Sequence, residues 1–279
     1  MEQAVFEIYA KLLEEQSGII ISTGKEYLLE SRVLPIAKEH GFDDLDGLLK
    51  KLHPIPDQKV LLQVVEAMTT NETSFFRDSK PFDSFKDVLL PYFMKARATT
   101  RKLRIWSAAC SSGQEPYSLA MLIKEQGAIL DGWDIEIVAT DLSNDILDKA
   151  KAAEYSQFEV QRGLPVQYLV KYFEQNEDKW CLKDDIKNMI TFKQFNLLNS
   201  YAGMGPFDMI FCRNVLIYFD AEVKSEIMQK FSSVFADDGV LVLGGAETII
   251  GISDHFKLLP DQRGVFILKD GKFSLEKTG

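Results

Sequence analysis

The chain has 279 residues, of which 46% are hydrophobic, and this is sufficient for one large domain and a smaller one with a sizeable core. Its net charge is −10, so it lacks the excess of basic residues that general nucleic-acid binding requires, and we expect no nucleic-acid partner. No apolar run reaches the roughly 18 residues of a membrane span and Met1-Glu2-Gln3 begins no signal peptide, so we expect a cytoplasmic protein without membrane insertion.

The cysteines predict no metal site. There are three, Cys110, Cys181 and Cys212, without C-x-x-C spacing, and the chain has only three histidines. An odd number of cysteines in this pattern indicates neither a disulfide framework nor a zinc site. We interpret them as small apolar residues in a reducing compartment.

The first 70 residues carry apolar residues at helical spacing and show no strand pattern. Four helices are predicted: one ending near Ser17-Gly18, one bent by Pro35 and ended by Gly41, one from Asp44 to Leu52, and one capped by Asp57 that continues to Met68. The chain therefore begins with a small helical domain.

Residues 68–78, MTTNETSFFRD, interrupt this helical pattern with polar residues and two adjacent phenylalanines. In one interpretation the segment is a helix cap in which the phenylalanines only pack. In the other it lines a cleft between the helical domain and the next domain, with Asn71, Thr73 and Arg77 facing a ligand. The spacing alone leaves both open.

A further helix is predicted from Phe82 to about Lys95. The basic run that follows it contains Lys95, Arg97, Arg101, Lys102 and Arg104. This run is either a contact for an acidic partner or a solvated group of charges, and the second interpretation is favoured.

The sequence then changes to strands alternating with helices, beginning with a buried strand at 103–106. Small residues at 108–112 follow this strand, and Glu115-Pro116 opens a helix. A strand, a small-residue turn and a helix are typical of doubly wound α/β folds, in which the backbone approaches a nucleotide-like ligand. Because Glu115 disfavours a pyrophosphate and the G-x-G-x-x-G spacing is absent, a cationic or neutral adenosine-bearing ligand such as S-adenosylmethionine fits better.

The next strand, 135–139, ends at Asp141. An acidic residue at this position is placed to accept hydrogen bonds from both hydroxyls of a ribose. Its alternative role is that of a turn or capping aspartate, although Ser143 already supplies a cap for the following helix. Both roles stay open.

Two further strands of the predicted parallel sheet also end in polar residues. The strand 190–195 is followed by Asn196, and the apolar strand 207–212 ends in Arg213 and Asn214. The carboxyl ends of parallel strands form the ligand side of such a sheet. These side chains are therefore expected on that side.

The rest of the chain supplies an insert and the sheet edge. Residues 157–165 are predicted to be a loop, and about 168–190 a small antiparallel insert with strands in VKYFEQ and KWCLK. The last two strands, 239–243 and 265–269, are joined by a loop, so we expect the final strand to be antiparallel.

Five motifs in this order resemble the chemotaxis receptor methyltransferases, the CheR-type protein-glutamate O-methyltransferases: MTTNETSFFRD, RIWSAACSSGQEPYSLAM, ATDLSNDILDKA, NLL and FDMIFCRNVLIYFD. The resemblance covers almost the whole chain. It implies an all-helical N-terminal domain, 1–70, a connecting segment, 71–102, and an S-adenosylmethionine-dependent α/β methyltransferase domain of Rossmann-like fold, 103–279, which carries the antiparallel β insert.

The resemblance also implies the site and the substrate. The expected cofactor contacts are Asn71, Thr73, Arg77, Glu115, Asp141, Asn196, Leu197, Arg213 and Asn214. Arg77 and Tyr218 are expected nearest the transferred methyl group, as catalytic residues. The implied partners are the cytoplasmic helices of methyl-accepting chemotaxis receptors, whose glutamates would become methyl esters during adaptation.

The sequence departs from the family pattern in two places. Relatives often show G-H-S-E where this chain has G-G-A-E at 244–247, so no role is assigned there. Relatives that dock on receptors tend to carry a basic helix, whereas residues 1–70 hold 7 Lys and Arg against 12 Asp and Glu. Only Lys25, Arg32 and Lys38 are basic in the second helix, so the docking surface stays open.

Two other functions stay open at this point. One is a methyltransferase for another substrate, although the Asn-Pro-Pro-aromatic motif of base methylation is absent where Arg213-Asn214-Val215 stands. The other is a signalling or scaffold protein that binds S-adenosylmethionine without turnover. The presence of Arg77 and Tyr218 argues weakly against the second.

Overall fold

The computed structural model describes residues 1–275, which form two compact units. The smaller unit comprises Met1–Thr70 and Tyr218–Val223. The larger comprises Asn71–Ile217 and the chain from Lys224 onward. Within residues 1–275 no helix combines the length and the apolar composition that crossing a membrane requires.

The four predicted helices of the smaller unit are confirmed. They are α1 (Gln3–Ser17), α2 (Glu26–Glu39), α3 (Leu45–Leu52) and α4 (Gln58–Met68). Gly18 ends α1 in the left-handed conformation, and the Asp44 carboxylate caps α3 by accepting the Gly47 amide. Asp57 caps α4 in the same way, so local capping sets these boundaries.

Arg32 has a structural role within this unit. Its Nη1 donates to the carbonyl oxygens of Met68 (3.0 Å) and Thr69 (3.1 Å) at the end of α4. A cation at a helix C-terminus satisfies carbonyl groups that lack partners inside the helix. One of the few basic residues of α2 is therefore engaged within its own unit.

The larger unit begins with a helical segment made of α5 (Lys80–Ser84), a π-helical turn (Phe85–Leu89) and α6 (Leu90–Ala96). The helix predicted over 82–95 is present, and the π-helical turn is an addition to it. The Leu90 amide donates to the Phe85 carbonyl across this turn. Pro91 follows directly and has no amide hydrogen to continue the helical ladder, which favours the irregularity.

A seven-stranded sheet forms the centre of the larger unit, in the order β6-β2-β1-β7-β8-β10-β9. Its strands are β1 (Lys102–Ala108), β2 (Asp134–Asp141), β6 (Ile190–Gln194), β7 (Phe207–Cys212), β8 (Phe235–Leu243), β9 (Phe256–Leu258) and β10 (Val265–Leu268). The first five strands in this order are parallel, and every residue of β7 is buried. The predicted doubly wound fold is confirmed.

The remaining helices accompany these strands. They are α7 (Gln114–Lys124), α8 (Asn144–Ala152), α9 (Gln157–Gln161), α10 (Val166–Tyr172), α11 (Asp184–Lys187) and α12 (Ala221–Ser233), with 3-10 turns at Gly127–Leu130 and Leu216–Tyr218. The final strand, β10, is antiparallel to β8, as predicted. The short strand β9 beside it was not predicted.

A second, antiparallel sheet contains β3 (Glu154–Ser156), β5 (Lys179–Leu182) and β4 (Phe173–Asn176), in that order. The small antiparallel insert is therefore confirmed, but two local predictions are wrong. Residues 157–165 are not all loop, because α9 begins there with a capping box between Ser156 and Glu159. The first half of VKYFEQ is helical, since α10 continues to Tyr172, and α11 occupies part of the segment predicted to be β structure.

A buried ion cluster joins the end of α6 to the sheet. The Arg97 guanidinium donates to Asp208 from Nε (2.9 Å) and Nη2 (2.7 Å), and to Asp238 from Nη1 (3.0 Å) and Nη2. Its side chain is 20% exposed, and the hydrogen bond to Asp238 raises the pKa of Arg97. The prediction of a solvated basic run is therefore wrong for this residue.

We expect Asp208→Asn to lower the free energy of unfolding by about 1.5–3 kcal/mol, because it removes a charged acceptor from a mostly buried guanidinium. The control is Asp134→Asn, since Asp134 pairs with Lys102 at 3.5 Å and both side chains are at least 70% exposed. That substitution should change the free energy of unfolding by no more than about 0.5 kcal/mol. Urea denaturation of both variants measures the difference, and equal losses would contradict the structural role of Arg97.

Candidate functional site

The predicted site residues follow the carboxyl ends of the parallel strands. Asp141 ends β2, Asn196 follows β6, Arg213 and Asn214 follow β7, and Glu115 lies in the first turn of α7 after β1. Because β6, β2, β1 and β7 are parallel neighbours, these ends meet at one edge of the sheet. The sheet itself therefore brings them together.

The turn after β1 is held to Asp141. The Ser111 amide donates to Asp141 Oδ2 (2.8 Å), and the Ser143 amide donates to Oδ1 (3.1 Å). Burial raises the pKa of the Asp141 carboxyl, and hydrogen bonds from backbone amides oppose this rise. Asp141 thus has the turn role that the sequence left open, and this role leaves lone pairs on both oxygens for a ligand.

Glu115 forms a buried ion pair with Arg213. Its Oε2 accepts from Arg213 Nη1 (3.0 Å), and its Oε1 accepts from the Ser107 hydroxyl (2.8 Å). The two side chains are only 11% and 2% exposed. Burial raises the pKa of Glu115, and the charge of Arg213 acts in the opposite direction. The pair therefore places a carboxylate with limited solvation beside the small-residue turn.

Arg213 also holds the segment that contains Arg77. Its Nη2 donates to the Arg77 carbonyl (2.5 Å) and to the Asp78 carboxylate (3.1 Å). The guanidinium lies 5.1 Å from the centre of the Phe82 ring. Its Nε is buried and has no hydrogen-bond partner among the described residues. A buried donor without a partner is costly unless a ligand or water satisfies it.

Further hydrogen bonds attach the 71–78 segment to the turn and to α7. The Ser111 hydroxyl donates to the Asn71 carbonyl (2.8 Å), and the Phe76 amide donates to the Ser118 hydroxyl (3.1 Å). Arg77 Nη1 donates to the Glu72 carbonyl (2.8 Å), and Thr73 is half-buried. The structure therefore brings the Asn71, Thr73 and Arg77 segment to the edge that carries Glu115.

The antiparallel insert packs on the same segment. The Phe75 ring lies edge-on to Tyr155 of β3 and Phe173 of β4, with ring centres 5.0 and 5.7 Å apart. Tyr155 also donates its hydroxyl to the Ser112 carbonyl (2.8 Å). Gly163 approaches so closely that a Cβ there would lie 2.1 Å from the Phe75 carbonyl oxygen. The insert thus supports both the segment and the turn.

The two residues predicted beside an adenine follow β6. Asn196 accepts the Leu198 amide at its Oδ1 (2.9 Å), which fixes a turn directly after the strand. Leu197 is buried, and its carbonyl accepts from the Tyr201 hydroxyl (3.0 Å). Both residues lie at the expected edge, and their contact with a ligand stays a prediction.

Tyr218 falls in the smaller unit, unlike the other predicted site residues. It ends the 3-10 turn Leu216–Tyr218, and 37% of its surface is exposed. The described contacts do not place it beside Arg77, so its catalytic role stays a prediction.

Glu247 is a residue of this edge to which the sequence assigned no role. Its carboxylate accepts the backbone amides of Asn214 (2.7 Å), Val215 (2.9 Å), Leu216 (2.8 Å) and Gly244 (2.7 Å). The available signal was a glutamate shortly after a buried strand in the G-G-A-E run.

These features suit a cationic adenosine-bearing ligand. Two buried carboxylates, Asp141 and Glu115, and a turn of small residues offer hydrogen-bond acceptors, negative charge and close approach to the backbone. A pyrophosphate would meet this negative charge at the start of α7, which disfavours a dinucleotide. The Nε of Arg213, which has no partner among the described residues, is a hydrogen-bond donor of the kind that an anionic group requires. The residues present therefore fit S-adenosylmethionine, whose amino-acid end carries both charges.

Comparison with known proteins identifies two matching domains in this chain. Residues 71–265 match the family model "CheR methyltransferase, SAM binding domain", and residues 4–69 match "CheR methyltransferase, all-alpha domain". The chemotaxis protein methyltransferase 1 of Pseudomonas aeruginosa is 43% identical over 270 residues, which cover 94% of this chain and 96% of that protein. The chemotaxis protein methyltransferase Cher2 of Pseudomonas putida is 41% identical over 266 residues, with 93% and 96% covered.

The fold and the matching cofactor domain define an S-adenosylmethionine-dependent methyltransferase. Both family models match, in order, across most of the chain. The chain belongs to the CheR methyltransferase family.

The close approach of Gly163 to the 71–78 segment gives a test of the insert's supporting role. Gly163→Ala should lower the free energy of unfolding by about 1–2 kcal/mol, because Gly163 has φ +90° and a residue with a Cβ disfavours this left-handed conformation. It should lower it by about 1–3 kcal/mol more, because the added Cβ displaces the Phe75 carbonyl. Gly203→Ala is the matched control, because Gly203 has φ +79° and a Cβ added there would meet no atom within 4 Å. Thermal and urea unfolding of the two variants should differ, and equal losses would contradict the proposed support.

Proposed function

We propose that this protein transfers the methyl group of S-adenosylmethionine to glutamate side chains of chemotaxis receptors in the cytoplasm, giving γ-methyl esters. The observation that carries the proposal is that Arg213 donates hydrogen bonds both to the Glu115 carboxylate and to the Arg77 carbonyl. These bonds hold the 71–78 segment at the carboxyl ends of the parallel strands. The high identity to chemotaxis protein methyltransferases over nearly the whole chain supports the receptor as substrate.

The proposed reaction needs alignment and no general base. A glutamate side chain with a pKa of about 4.3 is already ionised at neutral pH, so it is nucleophilic without losing a proton to the enzyme. Holding a nucleophile and an electrophile in a near-attack arrangement contributes as much as about 7–11 kcal/mol to lowering the barrier. The protein's own contribution is therefore binding and orientation.

Arg77 is proposed to orient the attacking carboxylate. Its contact with the Glu72 carbonyl uses one N–H group, and a guanidinium has five. A single hydrogen bond to one substrate oxygen leaves the other oxygen free to attack, whereas a bidentate pair would hold both. We propose Tyr218 as a neutral donor to the same carboxylate, which would orient it without adding charge.

The cofactor contacts are proposed from the residues that meet at the sheet edge. Asp141 accepts the ribose hydroxyls, and Asn196 and Leu197 lie against the adenine. Glu115, Arg213, Asn71, Thr73 and Asn214 contact the amino-acid end. When bound, S-adenosylmethionine supplies an electrophilic methyl group on a sulfonium centre.

Tritiated S-adenosylmethionine tests the reaction. The protein is incubated with this cofactor and with receptor cytoplasmic fragments, and we expect label on the receptor that base releases as methanol. A base-stable label would contradict a carboxyl ester and indicate methylation of nitrogen or carbon. Cofactor binding without any transfer would contradict catalysis and favour a non-catalytic scaffold.

Arg77→Ala should reduce the methylation rate by about 100-fold or more while changing the affinity for S-adenosylhomocysteine much less, because the guanidinium is proposed to orient the substrate. Arg162→Ala is the control, since Arg162 pairs with the Glu72 side chain, next to the carbonyl that Arg77 contacts. Kinetics and calorimetry on both variants separate the roles. Equal losses in rate and affinity would make Arg77 a binding residue only.

The buried carboxyl group of Asp141 leads us to expect that cofactor binding depends on pH. Because burial raises the pKa of this carboxyl, the free protein retains the proton to higher pH than an exposed aspartate does, and affinity for S-adenosylhomocysteine should rise as pH increases through that pKa. Asp141→Asn should weaken binding at neutral pH by about 1.5–3 kcal/mol and reduce the pH dependence. Asp145→Asn, an exposed change in the first turn of α8, should do neither in calorimetry. Unchanged affinity in Asp141→Asn would remove this residue from the site.

A further inference from the structure

The Glu247 carboxylate joins the ends of two neighbouring strands. Its Oε1 accepts from the amides of Val215 and Leu216, and its Oε2 accepts from the amides of Asn214 and Gly244. Three of these donors follow β7 and the fourth follows β8. Only 9% of the residue is exposed, so its carboxylate is surrounded by these four amides and not by solvent.

Only a carboxylate satisfies this arrangement. Both oxygens of an ionised carboxyl accept hydrogen bonds, and together they offer about four lone-pair positions. A glutamine in the same place would present an NH₂ group to one pair of amides, so two donors would face donors. The four amides therefore require both the negative charge and the two acceptor oxygens of a carboxylate at position 247.

The contacts also fix the backbone of Asn214. This residue has φ 59°, in the left-handed region, where asparagine is tolerated better than most residues but still at a cost. The hydrogen bond from its amide to Glu247 holds that conformation. Left-handed residues persist where surrounding contacts determine them, and they cluster at functional sites.

Gly244 lets the Asn214 side chain lie close to the next strand end. A Cβ at Gly244 would lie 2.9 Å from Asn214 Nδ2 and 2.7 Å from Glu247 Oε2. The asparagine amide therefore occupies space that any side chain at Gly244 would take. At the neighbouring Gly245, a Cβ would meet nothing within 4 Å.

We propose that Glu247 is a positioning residue for the cofactor site, acting through Asn214. By holding Asn214 at the end of β7, over Gly244, it sets where the asparagine amide meets the cofactor. This inference rests on the proposed role of Asn214 as a cofactor contact.

Two pairs of variants test the proposal. Glu247→Gln is compared with Glu226→Gln, which makes the same change at an exposed glutamate of α12. Gly244→Ala is compared with Gly245→Ala, which adds the same methyl group one residue later where there is space. Calorimetry with S-adenosylhomocysteine is carried out well below the unfolding temperature, and the folded fraction is checked by circular dichroism. Nitrogen-15 NMR follows the Asn214 side-chain amide with and without this ligand.

We expect Glu247→Gln and Gly244→Ala each to weaken S-adenosylhomocysteine binding by about tenfold or more while folded, with a changed Asn214 amide signal. Both control variants should bind as the parent protein does. Glu247→Asp keeps both oxygens on a shorter side chain and should recover part of the affinity that Glu247→Gln loses.

Folded Glu247→Gln and Gly244→Ala proteins that bind like the parent would overturn the positioning role. So would loss of thermal stability with unchanged affinity, because a structural role alone predicts that pattern. A parent protein whose Asn214 amide signal does not respond to the ligand would instead overturn the proposed contact of Asn214, and the inference with it.

Discussion

The buried ion pair between Arg213 and Glu115 is the interaction on which the rest of the site depends. Removing two charges from water is costly, and the structure offsets this cost with hydrogen bonds from Ser107 to the carboxylate and from the guanidinium to the Arg77 carbonyl. Because one guanidinium satisfies both a carboxylate after β1 and a carbonyl of the 71–78 segment, a single side chain relates the cofactor edge to the segment proposed to hold the substrate. Loss of Arg213 would leave Glu115 buried without its counter-charge.

Half of the ten non-glycine residues with positive φ among the described residues lie in three segments of the site. Phe76 and Asp78 lie in the 71–78 segment, Ala109 and Ser111 lie in the turn after β1, and Asn214 follows β7. Side-chain carboxylates stabilise two of the three segments, since Asp141 binds the amide of Ser111 and Glu247 binds that of Asn214. Arg213 performs the equivalent role for the segment before α5 by binding the Arg77 carbonyl. Polar side chains thus hold conformations that the backbone alone would disfavour.

Much of this arrangement could be predicted from sequence, because regular periodicity and capping are local signals. The helices of the first 70 residues and the apolar strand β7 follow directly from spacing, and the order of strands ending in polar residues placed most of the site at one edge. The insert was predicted less well, since its elements have three to seven residues and an apolar pattern of that length fits helix and strand equally. The burial of Arg97 depends on partners more than 100 residues away, and the contacts of Glu247 with the end of β7 on residues about 30 positions away, which spacing does not reveal.

The contact of the insert with Phe75 limits which parts of the fold can be exchanged between related proteins. Phe75 packs on β3 and β4, and its carbonyl lies against Gly163, so the insert and the 71–78 segment form one packed body although about 80 residues separate them in the chain. Exchanging the insert between relatives would leave this packing mismatched unless residues 71–78 were exchanged with it. Substitutions that change the shape of one stretch are therefore expected to require compensating substitutions in the other.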